Sequence, residues 1–215
     1  MAGYIKIILK SGKEQSLKRL HPWIFSGAIK IICGEPEEGE TVVVYSNRNE
    51  CLGVGHYQTG SIAVRMLAAT ETILDQDFWN RRIQQAVSYR KHTGLIGNPE
   101  TNVFRLVNGE GDCLPGLIAD YYNGTVVIQF HSAGMYRVMN QIVEALQNSM
   151  PGMITAIYNK SEATLPARPG ITPGNGYLFK ERDQQPVREY GNTFLVDCEK
   201  GQKTGNVVIT MQDHL

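Results

Sequence analysis

Apolar and polar positions alternate through much of the first third of the chain. In "CLGVGHY" the alternate positions are Leu52, Val54 and His56, and in "SIAVRML" they are Ile62, Val64 and Met66 with Arg65 on the opposite face. A period of two is that of half-buried strands, and the unbroken "TVVVYS" reads as a buried one. Turn residues in "SNRNE" and "QTG" separate these runs and suit short hairpin connections. A small β-barrel or sandwich is predicted from residue 4 to about residue 69, with a short helix near "EQSLKRLHPWIF".

At residue 70 the period changes. Trp79, Ile83 and Val87 recur every four residues, with Ala86 on the same side, which predicts an amphipathic helix. Thr72 or Asp75 is its N-cap and Gly94 its C-terminal stop. Arg81, Arg82, Arg90 and Lys91 decorate it and read as a solvated face. Three strands are expected in "VFRLVNGEGDCLPGLIADYYNGTVVIQFHS", and Asn123-Gly124 marks a hairpin because both residues accept the positive φ of a type I′ turn. Met135, Val138, Met139, Ile142, Val143 and Leu146 then fall on one helical stripe, read as core. "MITAIY" reads as a strand. "SEATLPARPGITPGNGYLFKE" reads as a mobile Pro/Gly loop, and "PVREYGNTFLVDC" as two short strands about Gly191-Asn192.

Composition narrows the class. In 215 residues, 42% are hydrophobic and 20% charged, enough for one large or two small cores, which argues against disorder. Twenty-one basic residues balance twenty-one acidic ones, so only the local distribution of charge carries information. It is uneven: Lys6, Lys10, Lys13, Lys18, Arg19 and Lys30 face Glu14 alone in the first 33 residues, and Glu35, Glu37, Glu38, Glu40 and Glu50 follow. The Glu37-Glu38 pair reads as a solvated turn. No run approaches the ~20 apolar residues of a membrane span, and the N-terminal "YIKIILK" lacks the length and cleavage site of a signal segment. A cytoplasmic protein without a membrane partner is expected.

Chemical motifs are sparse. Cys33, Cys51, Cys113 and Cys198 are far apart with no zinc spacing, and read as reduced, mostly buried side chains. "GVGHYQ", "GEGDCL" and "GNGYLF" leave G-x-G-x-x-G incomplete and read as turns or bulges, and there is no P-loop and no G-x-S-x-G. His21, His56, His92, His131 and His214 show no convergent spacing, so no metal site and no catalytic residue is assigned. What remains is "KSGKEQSLKRLHPWIFSGAIK". There Lys10, Lys13, Lys18, Arg19 and Lys30 surround His21, Trp23 and Phe25, the mixture of cations and flat rings that nucleic-acid binders use. A cationic solvent face over a core Trp is the competing reading.

These blocks carry a resemblance. "LKRLHPWIFSGAI" with "LGVGHYQTGSIAVRML" resembles the N-terminal PUA domain of the S-adenosylmethionine-dependent ribosomal RNA methyltransferases that make 5-methylcytosine in the large subunit. "FRLVNGEGDCLPGLIADYYNGTVVIQFHSAGM" is similar to that family's central hairpin-rich domain, and "NTFLVDCEKGQKTG" to the segment leading into its methyltransferase domain. The resemblance implies an α+β chain: a PUA-type barrel at 1–70, a central α+β domain at 71–190, and at 191–215 the start of a Rossmann-like catalytic domain that is largely absent. "NVVITMQDHL" departs from the family pattern after Gly205, so a truncation or frameshift is expected before the methyl-donor site and the catalytic cysteine.

The implied partner is structured, ribosomal RNA, with Lys18, Arg19, His21 and Arg65 as RNA contacts, and a homodimer is left open. The implied cofactor of the complete family is S-adenosylmethionine, with Lys203 and Thr204 at the approach to its site and none bound by this chain. A free-standing RNA-binding module is the alternative. Pseudouridine and tRNA-guanine-exchange enzymes also carry PUA domains, but the central block does not fit them.

Overall fold

The computed structural model describes residues 3–182 and 185–199. The first part comprises β1 (Ile5–Leu9), a four-residue α1 (Gln15–Lys18), β2 (Trp23–Phe25), β3 (Ile29–Cys33), β4 (Thr41–Tyr45), β5 (Cys51–Tyr57) and β6 (Ile62–Ala68). The six strands form one mixed sheet in the order β2-β6-β5-β4-β1-β3, with β1 and β4 parallel. The edge strands β2 and β3 are joined by a 3-10 turn at Ser26–Ala28 and do not pair with each other. Ile24 of β2 nevertheless packs in one core with Ile7, Leu9, Val42, Val44 and Val64, so the sheet curls around a shared interior.

The first sheet also explains "GVG". A Cβ at Gly53 would stand 1.9 Å from the Ala68 carbonyl oxygen, and one at Gly55 would stand 2.3 Å from that of Arg65. The two glycines thus let β5 and β6 approach at an irregularity between Val54 and Gly55. Leu52 and Tyr57 pack toward the first core, and His56 is buried against the second part of the molecule.

The second part begins with α2 (Gln76–His92), whose N-cap Asp75 accepts the Phe78 N–H at 2.9 Å. Gly94 follows it at φ +74°, the left-handed conformation that closes a helix. Then come β7 (Val103–Asn108), β8 (Leu117–Tyr122), β9 (Thr125–Phe130), α3 (Ala133–Arg137), α4 (Met139–Ser149), β10 (Ala156–Lys160), β11 (Asn175–Phe179), β12 (Gln185–Glu189) and β13 (Asn192–Val196). A five-stranded sheet runs β11-β10-β9-β8-β7. β9 and β10 are parallel, with α3 and α4 in the connection between them. Asn123 and Gly124 take φ +42° and +102° between β8 and β9, the signs a type I′ turn requires.

Both faces of this sheet are covered. Phe104, Leu106, Ala119, Ile128 and Ile157 join the core that includes Trp79, Ile83 and Leu146 of the helices. Tyr122, Val127 and Tyr158 face the other way, onto Val187 and Val196 of the β12–β13 hairpin. The result is an α+β fold of helices, mixed sheet and hairpin beside the curled first sheet.

Several expectations are corrected. The Pro/Gly stretch after residue 160 contains β11, paired antiparallel with β10, and buries Leu165 and Ile171. "GNGYLF" is therefore strand, and "GEGD" is a 3-10 turn. The stripe read as one helix is interrupted at Val138, where Arg137 ends α3 and Met139 starts α4. Cys33, Cys51 and Cys113 are exposed, not buried, because they sit at strand ends and on the rim of a cleft. Glu38 is buried, since Thr59 donates to it from N–H and hydroxyl while the Arg168 guanidinium lies 3.3 Å away. Arg90 is buried too, its Nη2 donating to Asp112 Oδ2 at 2.7 Å and its Nε to the Arg105 carbonyl at 3.0 Å. A helix face rich in arginine was legible; that one of them crosses to the 3-10 turn beyond β7 was not.

Candidate nucleic-acid interface

The basic segment folds as one exposed corner of the first sheet. Leu17 turns toward the core, while Lys18 and Arg19 end α1 with their side chains outward. Leu20 then takes φ +63°, a conformation unusual for a leucine, and leaves its side chain 83% exposed. The reversal is held by the His21 N–H donating to the Ser16 carbonyl at 3.0 Å. Trp23 donates its N–H to His21 Nδ1 at 3.2 Å, and the two rings meet edge to face with centroids 5.7 Å apart. Phe25, half exposed, lies 6.3 Å from the same imidazole. Strand alternation sends Ile24 inward and leaves His21, Trp23 and Phe25 as an outer aromatic group at the sheet edge.

Register brings in Arg65. It stands directly opposite Trp23 on one side and His56 on the other. Burial lowers its pKa from the usual arginine value, with Glu110 favouring and Arg168 opposing the charge. The Trp23 indole N–H donates to Glu110 Oε1 at 2.9 Å, a contact across 87 positions of sequence. Of the four predicted RNA contacts, the structure places His21 beside Trp23 and Arg65 beyond it. Lys18 leans toward Glu50 at 3.6 Å and Arg19 stays at the helix end. Lys203 and Thr204 lie outside the described residues. Glu110 and Leu20 had no sequence signal, because only the register of β2 on β6 and the packing of the two parts bring them to this corner.

Two clefts flank it. One of about 330 Å³ includes Lys13, Ser16, Trp23 and Phe25 in its wall. The other, of about 320 Å³, lies in the seam between the two parts. Leu17, Leu20, Leu52 and Met66 wall it from the first sheet, and Arg82, Glu110 and Cys113 from the second part. The seam is fixed by polar bridges: Arg82 Nη2 to the Leu67 carbonyl at 2.7 Å, the Ala133 N–H to Gln58 Oε1 at 3.1 Å, and Arg137 to Glu37 at 2.8 Å.

Other chemistry is limited. Burial pushes the Cys198 thiol up to about 11, with Lys160 opposing, which leaves it almost wholly protonated at neutral pH. Among the described residues no group of three His, Cys, Asp or Glu side chains is arranged to hold a metal, and no helix is long and apolar enough to cross a membrane. None of the three Gly-x-Gly sequences forms the helix-opening turn that nucleotide cofactors favour. "GVG" lies within β5, "GEG" in a 3-10 turn and "GNG" at the start of β11, so none opens a helix whose N–H groups could face a ligand.

A curled six-stranded sheet with a cationic, aromatic edge defines a domain class, and residues 7–69 match the model of a PUA-like domain. The likeness extends well beyond it. The chain is 34% identical over 203 residues to ribosomal RNA large subunit methyltransferase I of Alteromonas mediterranea, covering 93% of this chain and 50% of that protein. It is 38% identical over 205 residues to the protein of the same name from Shewanella amazonensis, covering 94% and 51%. The chain thus spans about half the length of the curated relatives it matches. In fold it resembles a Streptococcus mutans chain provisionally assigned as a SAM-dependent methyltransferase, with a TM-score of 0.72 at 20% identity over 89% of this chain and 48% of that one. A further methyltransferase-like chain, solved with S-adenosylhomocysteine, gives the same TM-score and identity and is covered to 47%. The chain thus contains a PUA-like domain and is similar, over nearly all of its own length, to about half of ribosomal RNA large subunit methyltransferase I.

Proposed function

We propose that this chain is the RNA-recognition portion of an S-adenosylmethionine-dependent ribosomal RNA (cytosine-C5) methyltransferase and does not itself transfer the methyl group. The observation that carries the reading is a PUA-like domain with a cationic and aromatic edge, in a chain aligned over 93% of its length with an rRNA methyltransferase. Lys18 and Arg19 neutralise backbone phosphates, His21 meets the Trp23 ring, and Arg65 is the register partner of Trp23 on the neighbouring strand. Ribosomal RNA is the partner and the cytoplasm the compartment.

The chemistry of the described residues supports the non-catalytic part. Methylation at C5 of cytosine through a covalent adduct at C6 needs a thiol with a lowered pKa, and the Cys198 environment acts in the opposite sense. S-adenosylmethionine belongs, on this reading, to the remaining half of the complete enzyme. A free-standing RNA-binding module is the second reading, supported by the separate apolar cores of the two parts.

The test is paired. Purified protein binds a structured ribosomal RNA fragment with an affinity that falls linearly in log-log terms with salt, as counterion release requires. It incorporates no labelled methyl group into that RNA. Methyl incorporation overturns the non-catalytic reading, and failure to bind at about 50 mM salt overturns RNA recognition.

A further inference from the structure

We infer that the seam cleft between the PUA-like domain and α2 is a pocket for one unpaired guanine base of the RNA, with Glu110 reading the base edge. The inference rests on the RNA-recognition reading and names the feature of RNA that the protein selects.

The cleft is suited to a base. Its walls are aliphatic, supplied by Leu17, Leu20, Leu52 and Met66, and flat rings desolvate well against such surfaces. At about 320 Å³ it lies at the small end of ligand sites, the size for one ring system, not for a duplex. Leu20 is the unusual element. A positive φ turns its side chain to 83% exposure at the mouth, where burial against a ligand face would offset the cost of that conformation. The two residues before it supply charge on the same turn. Lys18 and Arg19 precede Leu20, and Lys18 is held only by a 3.6 Å contact to half-exposed Glu50, so both cations are free to meet the flanking phosphates.

Polar groups on the far wall decide which base. Glu110 Oε1 accepts the Trp23 indole N–H, which orients the carboxylate and leaves further lone pairs for a ligand. A carboxylate only accepts. Guanine presents two adjacent donors, N1–H and the N2 amino group, which match it as a pair. Adenine presents N6–H beside the N1 acceptor, uracil presents N3–H between two carbonyl oxygens, and cytosine sets N4–H beside the N3 acceptor, so each brings an acceptor against the carboxylate. Arg82 adds a guanidinium to the same wall, held by Nη2 on the Leu67 carbonyl, the donor type that suits the acceptor-rich guanine edge. The pocket takes residues from both parts of the molecule, so it exists only while the seam is closed.

The experiment uses the full chain and labelled octamers: all-uridine, and all-uridine with one central guanosine or one central adenosine, read by fluorescence anisotropy. The guanosine octamer binds about tenfold tighter than the other two. Glu110→Gln keeps an acceptor for Trp23 but replaces one oxygen by a donor, and it brings the ratio of guanosine-octamer to all-uridine affinity down toward one. Leu20→Ala, a change at an exposed position, lowers guanosine-octamer affinity and leaves the melting temperature unchanged. Equal affinities for the three octamers, or a preference untouched by Glu110→Gln, overturn the guanine pocket while RNA recognition stands. No binding to the octamers or to the structured fragment at about 50 mM salt overturns both.

Discussion

The His56 imidazole stacks on the Trp79 indole, with ring centroids 6.0 Å apart and 29° between the planes. The contact joins β5 of the first sheet to α2 of the second part, and both rings are almost fully buried. His56 Nε2 and Trp79 Nε1 have no hydrogen-bond partner, so the seam is held here by ring packing alone. Burial, with Arg65 nearby, lowers the His56 pKa to about 4, and the ring is neutral at pH 7.

Stability should therefore depend on pH in a defined direction. The folded pKa of about 4 lies below the ordinary histidine value of 6.5, so the unfolded chain binds the proton more readily between them. The His56 contribution is fully present above about pH 6.5 and is lost as pH falls toward 4. From pH 7 to pH 5 the loss is about 2 kcal/mol. Urea midpoints at the two values measure it, and His56→Phe should flatten the difference. An unchanged difference in that variant would assign the pH dependence to other groups.

The same ring forbids a side chain on α3. A Cβ at Gly134 would stand 2.2 Å from His56 Cγ, and the imidazole cannot retreat because Trp79 lies against it. Gly134→Ala should cost about 1–3 kcal/mol by overpacking. Gly27→Ala is the control, because a Cβ there meets nothing within 4 Å and its φ is not positive. Thermal melts of the two variants give the comparison.

Arg90 and Asp112 make a second buried link, from α2 to the 3-10 turn after β7. Both side chains are less than a tenth exposed, and Asp112 also accepts the Asn108 N–H. Asp112→Ala strands a buried guanidinium and should destabilise the protein by about 3–5 kcal/mol. The double change Arg90→Met with Asp112→Ala should recover much of that loss, since no unpaired charge remains. Chemical denaturation of the three proteins tests the sequence of stabilities.

The sequence announced features whose cause is local. Trp79, Ile83 and Val87 recur at helical spacing, Asp75 caps the helix, and Asn123-Gly124 turns the hairpin, each decided by near neighbours. The missed strand β11 shows the other case. Asn175–Phe179 follows a run of prolines and pairs only because β10 offers it an edge, which no local pattern records. Buried Glu38 is similar: its partner Arg168 is 130 positions away, and a two-glutamate turn gives no hint of it. At the candidate site, the cations and rings of residues 13–25 were legible as composition. Their ordering into an edge was not, because Arg65 reaches Trp23 through strand register and Glu110 reaches it across the seam.

Lys18 and Arg19 offer the cleanest separation of binding from folding. Lys18 meets Glu50 at 3.6 Å with both side chains about half exposed, a pair worth at most about 1 kcal/mol, and α1 buries no residue of its own. Lys18→Ala with Arg19→Ala should therefore leave the melting temperature within about 4 °C of the parent. Each phosphate contact on single-stranded RNA contributes about −0.7 to the slope of log affinity against log salt. The double variant should bind more weakly to every sequence and show a slope shallower by about 1.4 if both cations meet phosphates. Affinities from 50 to about 300 mM salt resolve this difference. A weaker affinity with an unchanged slope would mean that the two residues shape the corner without touching phosphate, and unchanged affinity would move the RNA path off α1 altogether.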